Sequence, residues 1–252
     1  FRTHHDGNRW WLVDPEGYLF WSTGITCIDL SGGRTELEEK ESFFEELPNR
    51  NMVKKAYSKH DGKEHINFLI WNLYRKYGAD WEQYWYKLVH KRLRSWGINT
   101  IANWSSRKLC YQKKTPYVLA IGYQKKLIPN TRAVPDVFDP SFAENLDGAM
   151  HYEKGRSAGD KWCIGYFIDN EIDWGSTVRV SESTLQGPKT LAAKKEFVKD
   201  LKKKYFAIEA LNKKWDSNYS SWVELLSSRE KPDRKKAFQD LAAFLEKFVD
   251  TY

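Results

Sequence analysis

The chain has 252 residues, a net charge of +7 and 41% hydrophobic residues. No stretch approaches the roughly 20 consecutive apolar residues of a membrane-spanning helix, so we expect a soluble, globular protein and no membrane partner. Cys27, Cys110 and Cys163 form no C-x-x-C pair and have no zinc-ligand spacing, and no glycine-rich phosphate loop is present. We therefore expect no metal and no cofactor. Because Cys27 and Cys163 lie in apolar runs, we expect them to be buried free thiols.

The amino-terminal third predicts a hairpin, a first core strand and an insertion. Apolar residues 9–13 and 18–22 flank Asp14-Pro15-Glu16-Gly17, in which proline presets the turn and glycine supplies a positive φ. This pattern predicts a hairpin over 9–22, whose second arm continues as a strand over about 18–28. Residues from about 30 to 80 begin polar and irregular, and we expect an insertion with short helices there.

The remaining chain alternates predicted helices and strands. Residues 81–96 place apolar and aromatic side chains at helical spacing and stop before Gly97, which is typical of a helix end. Further strands are predicted at 98–102, 117–122 and 163–169, and further helices at 141–151, 189–214 and 233–250. This alternation predicts parallel strands with right-handed crossovers. Four such units fit either a small open α/β sheet or the first half of a (β/α)8 barrel.

Polar residues follow the fourth predicted strand directly. In WCIGYFIDNEIDWG, residues 162–175, an apolar run gives way to Asp169, Asn170 and Glu171. Such a run is typical of a strand buried on both faces. The carboxyl ends of strands carry the functional groups of parallel α/β folds. We therefore expect a pocket here, although strand alternation directs Asn170 and Glu171 to different sides unless the strand twists or bulges.

The same motif carries a family resemblance. The chain resembles the glycoside hydrolases of clan A, which are (β/α)8 barrels whose fourth strand ends in Asn-Glu. It is most similar to family 50, the β-agarases, in four segments that occur in the same order: WWLVDPEGYLFWSTG (10–24), GINTIANWS (97–105), VPDVFDP (134–140) and IGYFIDNEIDWG (164–175). LKKKYFAIEALNKKWDSNYSSWVELL (201–226) is similar to that family and also to the family 42 β-galactosidases. The resemblance covers nearly the whole chain.

The resemblance implies a retaining glycoside hydrolase of β-agarase or β-galactosidase type, acting on β-galactosyl linkages of an agarose-like galactan. Glu171 matches the catalytic acid/base, and Asn170 matches the residue that hydrogen-bonds the sugar 2-hydroxyl in the transition state. Trp104 and Trp174 are candidates for stacking on sugar rings, and Asn103 for bonding a hydroxyl. The implied partner is a polysaccharide or oligosaccharide, and the implied location is secreted or periplasmic.

The second carboxylate of a retaining mechanism is missing from this pattern. In the family it closes the seventh strand. Here Glu182 lies in a predicted loop, Glu224 in a helical stretch, and Asp136 is poorly placed. We therefore interpret residues 1–252 as one partial catalytic barrel domain with about the first four βα units. We expect such a half to pair with a missing carboxyl-terminal half or a second copy, and to hydrolyse little or nothing alone.

Two other functions stay open. The chain could be a carbohydrate-binding remnant without catalysis, for which Glu171→Gln would leave binding intact. A basic nucleic-acid-binding protein would use the net charge of +7. Its lysines should then interleave with aromatic residues on one face, whereas here they lie mainly on predicted outer helices, so we expect no nucleic-acid partner. His4-His5-Asp6 resembles a metal cluster only weakly, and we expect an ordinary exposed segment there.

Overall fold

The computed structural model describes all residues from Phe1 to Tyr252. The chain divides into two compact units. The first comprises Phe1–Ala120 and Lys154–Phe167, and the second comprises Ile121–Glu153 and Ile168–Tyr252. Each unit has its own cluster of buried hydrophobic side chains. No helix combines the length and the apolar composition that crossing a membrane would require.

A three-stranded antiparallel sheet begins the first unit. Its strands are β1 (Arg2–His5), β2 (Trp10–Val13) and β3 (Leu19–Phe20), paired in the order β1-β2-β3. β2 and β3 form a hairpin within the interval 9–22, and its turn is closed by two hydrogen bonds of 2.9 Å between Asp14 and Tyr18. Gly17 has a φ of 97° in this turn, a value that residues with a Cβ atom rarely adopt.

The segment from about 30 to 80 contains a second antiparallel sheet in addition to helical turns. It follows β4 (Gly24–Ile25), and its elements are β5 (Arg34–Glu36), β6 (Tyr57–His60), β7 (Lys63–Asn67) and helix α1 (Phe68–Tyr77). The strand order is β5-β7-β6. Asn67 caps α1 by accepting a hydrogen bond from the backbone N–H of Ile70. The sequence predicted only short helices here, because these strands carry charged residues and little apolar alternation.

A four-stranded sheet in the order β10-β9-β8-β4 forms the centre of the first unit. The elements are α2 (Trp81–Ser95), β8 (Thr100–Ile101), α3 (Arg107–Cys110), β9 (Tyr117–Ile121) and β10 (Cys163–Ile168). Helix α4 (Pro140–Glu153), between β9 and β10 in the chain, belongs to the second unit. β4 pairs in parallel with β8, and β8 with β9. A Cβ atom on Gly24 would lie 3.2 Å from the Cβ of Thr100, so glycine permits this close pairing. The predicted α/β class with a parallel sheet is confirmed.

Two expectations about the strands are wrong. The first core strand spans only Gly24–Ile25 instead of about 18–28. β10 is only partly buried, and Phe167 is 51% exposed, because β10 is an edge strand with no neighbour on its outer side. Of the two cysteines expected to be buried, Cys27 is exposed and Cys163 only partly buried, whereas Cys110 is buried.

Besides α4, five helices of the second unit pack around its core. They are α5 (Arg179–Gln186), α6 (Ala192–Tyr205), α7 (Ile208–Trp215), α8 (Trp222–Ser227) and α9 (Arg234–Thr251). The helix predicted over 189–214 is two helices, separated at Phe206, whose φ is 61°. Residues of α5 were predicted as loop. The helix predicted over 233–250 is α9, which buries Leu241 and Phe248 and leaves Phe238 47% exposed.

One buried carboxylate joins three of these helices. Asp240 of α9 is 4% exposed. It accepts hydrogen bonds from the Tyr205 hydroxyl and the Trp215 indole N–H, both at 2.8 Å, and from the Lys204 ammonium at 2.6 Å. Since a buried charge is tolerated only when it is paired and hydrogen-bonded, this network stabilises the packing of α6, α7 and α9.

Candidate functional site

The turn after β10 breaks the alternation of the strand. Asp169 and Glu171 have φ values of 62° and 47°, in the left-handed region that non-glycine residues rarely adopt. In a continuing strand these two residues would face the same side. Instead the Asp169 side chain is 2% exposed and the Glu171 side chain is 65% exposed. β10 therefore ends in a turn that directs Asp169 inward and Glu171 into solvent.

Asp169 is fixed by three donors. Its carboxylate accepts hydrogen bonds from the hydroxyl groups of Tyr123 at 2.7 Å and Tyr252 at 3.0 Å, and it forms an ion pair with Lys125. Burial, followed by the Asp169 hydrogen bond, raises the pKa of Tyr252 to about 12 and raises that of Tyr123 further. Both phenols therefore stay protonated as donors at neutral pH, which holds the first residue of the turn in place.

Arg132 contacts the exposed carboxylate of the turn. Its Nη2 lies 2.6 Å from Oε2 of Glu171. The Arg132 carbonyl also accepts a hydrogen bond of 3.2 Å from the backbone N–H of Asp173, whose carboxylate lies 2.6 Å from Nη1 of Arg179. The loop after β9 thus orients the Glu171 segment through main chain and side chain. Because the Arg132–Glu171 pair is exposed, it contributes little stability and a ligand could displace it.

The other two predicted site residues of this segment differ in their surroundings. Asn170 is exposed, and its side-chain amide makes no hydrogen bond, so it is free to bind a ligand. Trp174 is partly buried and packs against the core of the second unit. Its ring centroid lies 5.8 Å from that of Tyr252 and 6.2 Å from that of Phe248. Asn170, Glu171 and Trp174 thus follow β10 in one short segment, with two side chains in solvent and the indole packed on the core.

Asn103 and Trp104 lie in the first unit, immediately after β8. Trp104 is 51% exposed and has a φ of 59°. Asn103 is 4% exposed, and its backbone carbonyl accepts a hydrogen bond from the N–H of Cys27 at 2.9 Å. Its side-chain Oδ1 has no hydrogen-bond partner, which is costly for a buried polar atom. The carboxyl end of β8 is therefore followed by a buried amide, from Asn103, and an exposed indole, from Trp104.

Comparison with known proteins finds relatives along the whole chain. No protein-family model matches it. Beta-agarase B of Vibrio sp. strain JT0107 is 29% identical over 100% of this chain, and Beta-agarase A of the same organism is 28% identical over 86%. The crystal structure of an agarase, AgWH50C, has a TM-score of 0.85 at 28% identity, and PfGH50B has 0.85 at 30%. An exo-beta-agarase has a TM-score of 0.84 at 26% identity.

The chain is a homologue of the β-agarases. This confirms the resemblance that the four sequence motifs indicated. The chain spans 31% and 25% of the two curated relatives. It spans 42% to 43% of the three solved chains while being itself covered completely.

In this β-agarase homologue, three carboxylates besides Glu171 are candidates for the nucleophile by residue type, and each has hydrogen-bond or ion-pair partners within the protein. Asp136 is 1% exposed and accepts two backbone hydrogen bonds of 3.1 Å. Glu182 lies in α5, not in a loop, and pairs with Arg234 through two contacts of 2.7 and 2.6 Å. Glu224 accepts from the N–H and hydroxyl of Ser220, both at 2.6 Å. None of the three is free to attack a sugar.

Sequence reasoning missed the residues that support the turn. Tyr123, Lys125 and Arg132 follow β9, the third strand of the β-agarase homologue's central sheet. Functional groups follow strand ends in parallel sheets, and GYQKK, residues 122–126, follows the third strand. Sites were predicted only after the second and fourth strands. Asp169 was noted in the motif, but nothing in its neighbours indicated that it would be buried.

Proposed function

We propose that this chain carries the acid/base half of a retaining glycoside hydrolase active site that acts on the β-galactosyl linkages of an agarose-like galactan. One observation carries the proposal. Glu171 is presented to solvent, beside Asn170, on a fixed turn at the carboxyl end of the fourth strand of the sheet, in a chain homologous to β-agarases. In clan A, which this chain resembles, the acid/base residue follows the fourth strand, and this supports the assignment of Glu171.

We propose that β4, β8, β9 and β10 are the first four strands of a (β/α)8 barrel, and that residues 1–252 belong to a single catalytic domain. In this sheet the spatial order of the strands follows their order in the chain. A doubly wound sheet reverses direction part-way, whereas a barrel does not. Both edge strands have a free side, which supports pairing with further barrel strands or with a second copy.

In the proposed mechanism Glu171 protonates the leaving glycosidic oxygen and later removes a proton from the attacking water. The free amide of Asn170 hydrogen-bonds the sugar 2-hydroxyl. Arg132 must release Oε2 of Glu171 when the sugar enters. A second carboxylate, about 5–5.5 Å from the first, is needed as nucleophile, and we assign it to no residue of this chain.

We further propose that Trp174 and Trp104 pack against sugar rings and that Asn103 bonds a sugar hydroxyl. An indole presents a flat apolar face that suits the C–H face of a sugar. The exposure of Trp104 supports its assignment, and the position of Asn103 directly after β8 supports the other. A secreted or periplasmic location would follow, because a polysaccharide reaches the enzyme outside the cytoplasm.

Binding of a transition-state mimic tests the role of Glu171 without requiring turnover. A galacto-configured iminosugar on an agaro-oligosaccharide carries the positive charge of the oxocarbenium-like transition state. Wild type should bind it about tenfold more tightly than the neutral oligosaccharide, because a charge-assisted hydrogen bond to Glu171 is added. Glu171→Gln should lose this preference and retain neutral binding, whereas Glu209→Gln, on an exposed face of α7, should change neither.

Three outcomes of this titration contradict parts of the proposal. If wild type binds neither ligand, the proposal of a carbohydrate site is wrong. An unchanged preference in Glu171→Gln would favour a carbohydrate-binding protein without catalysis. Hydrolysis of agaro-oligosaccharides by the 252-residue chain, lost in Glu171→Gln, would show that the chain contains its own nucleophile, since we expect little or no turnover from it.

A further inference from the structure

A strongly basic cavity of about 420 Å³ lies in the first unit. One wall is α2, where Lys87, Lys91 and Arg94 share a face because they are four and three residues apart. The other wall is the segment before β9, with Lys113 and Lys114, and the indole of Trp162 before β10. The cavity therefore lies at the amino ends of β9 and β10, whereas Glu171 follows the carboxyl end of β10.

The charge of this cavity is largely unbalanced. Lys113 is the one lining cation with a carboxylate partner, Asp160 at 3.4 Å. Asp160 is also held by the Tyr117 hydroxyl at 2.8 Å and the backbone N–H of Trp162 at 3.1 Å. The remaining four cations, Lys87, Lys91, Arg94 and Lys114, form no ion pair in the structure. Like charges on one helix face repel each other, so an anion bound between them would reduce this electrostatic repulsion.

A buried histidine of the same cavity lacks a hydrogen-bond partner. His90 is 7% exposed, and its Nδ1 lies 2.9 Å from the hydroxyl of Thr115. Its Nε2 has no partner. Burial, together with Lys114 and Arg94, lowers the pKa of His90 to about 4, so the ring is neutral at pH 7. With the Thr115 hydroxyl donating to Nδ1, Nε2 carries the ring hydrogen, and protein atoms cover this nitrogen, so His90 lines the cavity as a neutral ring and does not donate to a ligand there.

We propose that this cavity binds an oxyanion, sulfate or phosphate, either free or as an ester on a sugar. The four cations without a carboxylate partner supply the charge. Lysines bind tetrahedral oxyanions as point charges, and an arginine adds parallel N–H donors. The volume leaves space for a sugar ring beside Trp162. This inference does not depend on the proposed hydrolase function.

Calorimetric titration with inorganic sulfate and phosphate, at ionic strength held constant with NaCl, tests the site. Wild type should bind with saturation at one site. Lys91→Ala/Lys114→Ala should weaken binding about tenfold or more, since two charge-assisted contacts are lost. Lys202→Ala/Lys203→Ala removes the same charge from exposed positions of α6 and should leave the affinity unchanged. An equal loss in both double variants, or no saturable binding, would overturn the proposal.

A displacement experiment identifies the source of the anion. A sulfated galacto-oligosaccharide that displaces sulfate, while its neutral counterpart does not, would identify a sugar ester as the ligand, and failure to displace would identify the free ion. Glu171→Gln should bind sulfate as wild type does, which separates this test from that of the hydrolase.

Discussion

Nη2 of Arg132 lies 2.6 Å from Oε2 of Glu171, and the two side chains are 71% and 65% exposed. They come from the loops after neighbouring strands of the sheet, β9 and β10. A cation is thus held beside the carboxylate that we propose as acid/base. Any positively charged ligand of Glu171 has to displace Arg132 or approach against its charge.

Arg132→Ala should therefore strengthen binding of the cationic iminosugar by about two- to fivefold, since an exposed pair contributes up to about 1 kcal/mol. Binding of the neutral oligosaccharide should strengthen less, because it also displaces Arg132 but carries no charge that Arg132 repels. Arg132→Lys, which keeps the charge, should bind the iminosugar as wild type does, and Lys213→Ala on α7 controls for net charge. Weaker iminosugar binding in Arg132→Ala would show that Arg132 serves to position Glu171 instead of competing for it.

Asp169→Asn should lower the free energy of unfolding by about 1–3 kcal/mol. The substitution leaves the Lys125 ammonium, whose side chain is 22% exposed, without its counter-ion and weakens two phenol hydrogen bonds. Urea unfolding measures the loss. Asp250→Asn, at an exposed position of α9, should stay within about 0.5 kcal/mol of wild type. Equal stability of the two variants would mean that the Asp169 cluster does not hold the turn.

Asp240→Asn should destabilise the helices of the second unit by about 1–3 kcal/mol, because the Lys204, Tyr205 and Trp215 donors lose a charged acceptor. Trp215→Phe removes only one of these hydrogen bonds and should cost less. Hydrogen exchange of α6, α7 and α9 amides should speed up in Asp240→Asn, while exchange in α2 of the first unit should not. Uniform acceleration would contradict a network local to these helices.

The contribution of Lys194 to the free energy of unfolding should change with pH in the alkaline range. Lys194 is buried and donates to the carbonyls of Gly187 and Ser228. Burial, with a smaller effect of Arg229, lowers its pKa from 10.5 to about 8. Between these pH values the unfolded chain binds a proton that the folded chain releases, so unfolding becomes less favourable as pH rises.

The free energy of unfolding of wild type, relative to Lys194→Met, should therefore increase from about pH 8 to pH 10.5 and be flat below pH 8. Urea titrations of both proteins across this range measure the difference, from which the titration of the tyrosines cancels. A difference that falls with pH would contradict the lowered pKa.

Elements set by local periodicity were predictable from the sequence. The helix over 81–96, the strand at 117–122 and the fourth strand each lie within two residues of α2, β9 and β10. α5 was missed because its sequence RVSESTLQ is rich in serine and threonine, which disfavour helix interiors. Six of its eight residues are buried, so tertiary packing stabilises a helix that local propensity does not.

The candidate site was predictable in position but not in conformation. The motif at residues 164–175 located Glu171 on the turn and identified the family resemblance. It did not reveal that Asp169 would be buried and Glu171 exposed, because neither residue is a glycine that would indicate positive φ. The contacts that favour this turn come from Tyr123 and Lys125, 46 and 44 residues earlier in the chain. No local pattern encodes such a distant pairing.

The left-handed backbone at Glu171 has a consequence for every mutational survey of this turn. A β-branched residue in place of Glu171 would remove the carboxylate, and it would also strain the backbone, because β-branched side chains disfavour a positive φ. A glycine would remove the carboxylate while relaxing the backbone. Both variants lack the carboxylate, so the difference in their stability combines the backbone strain of valine with the larger entropy that glycine has in the unfolded chain. Where the carboxylate is not needed, this φ therefore favours glycine over a β-branched residue.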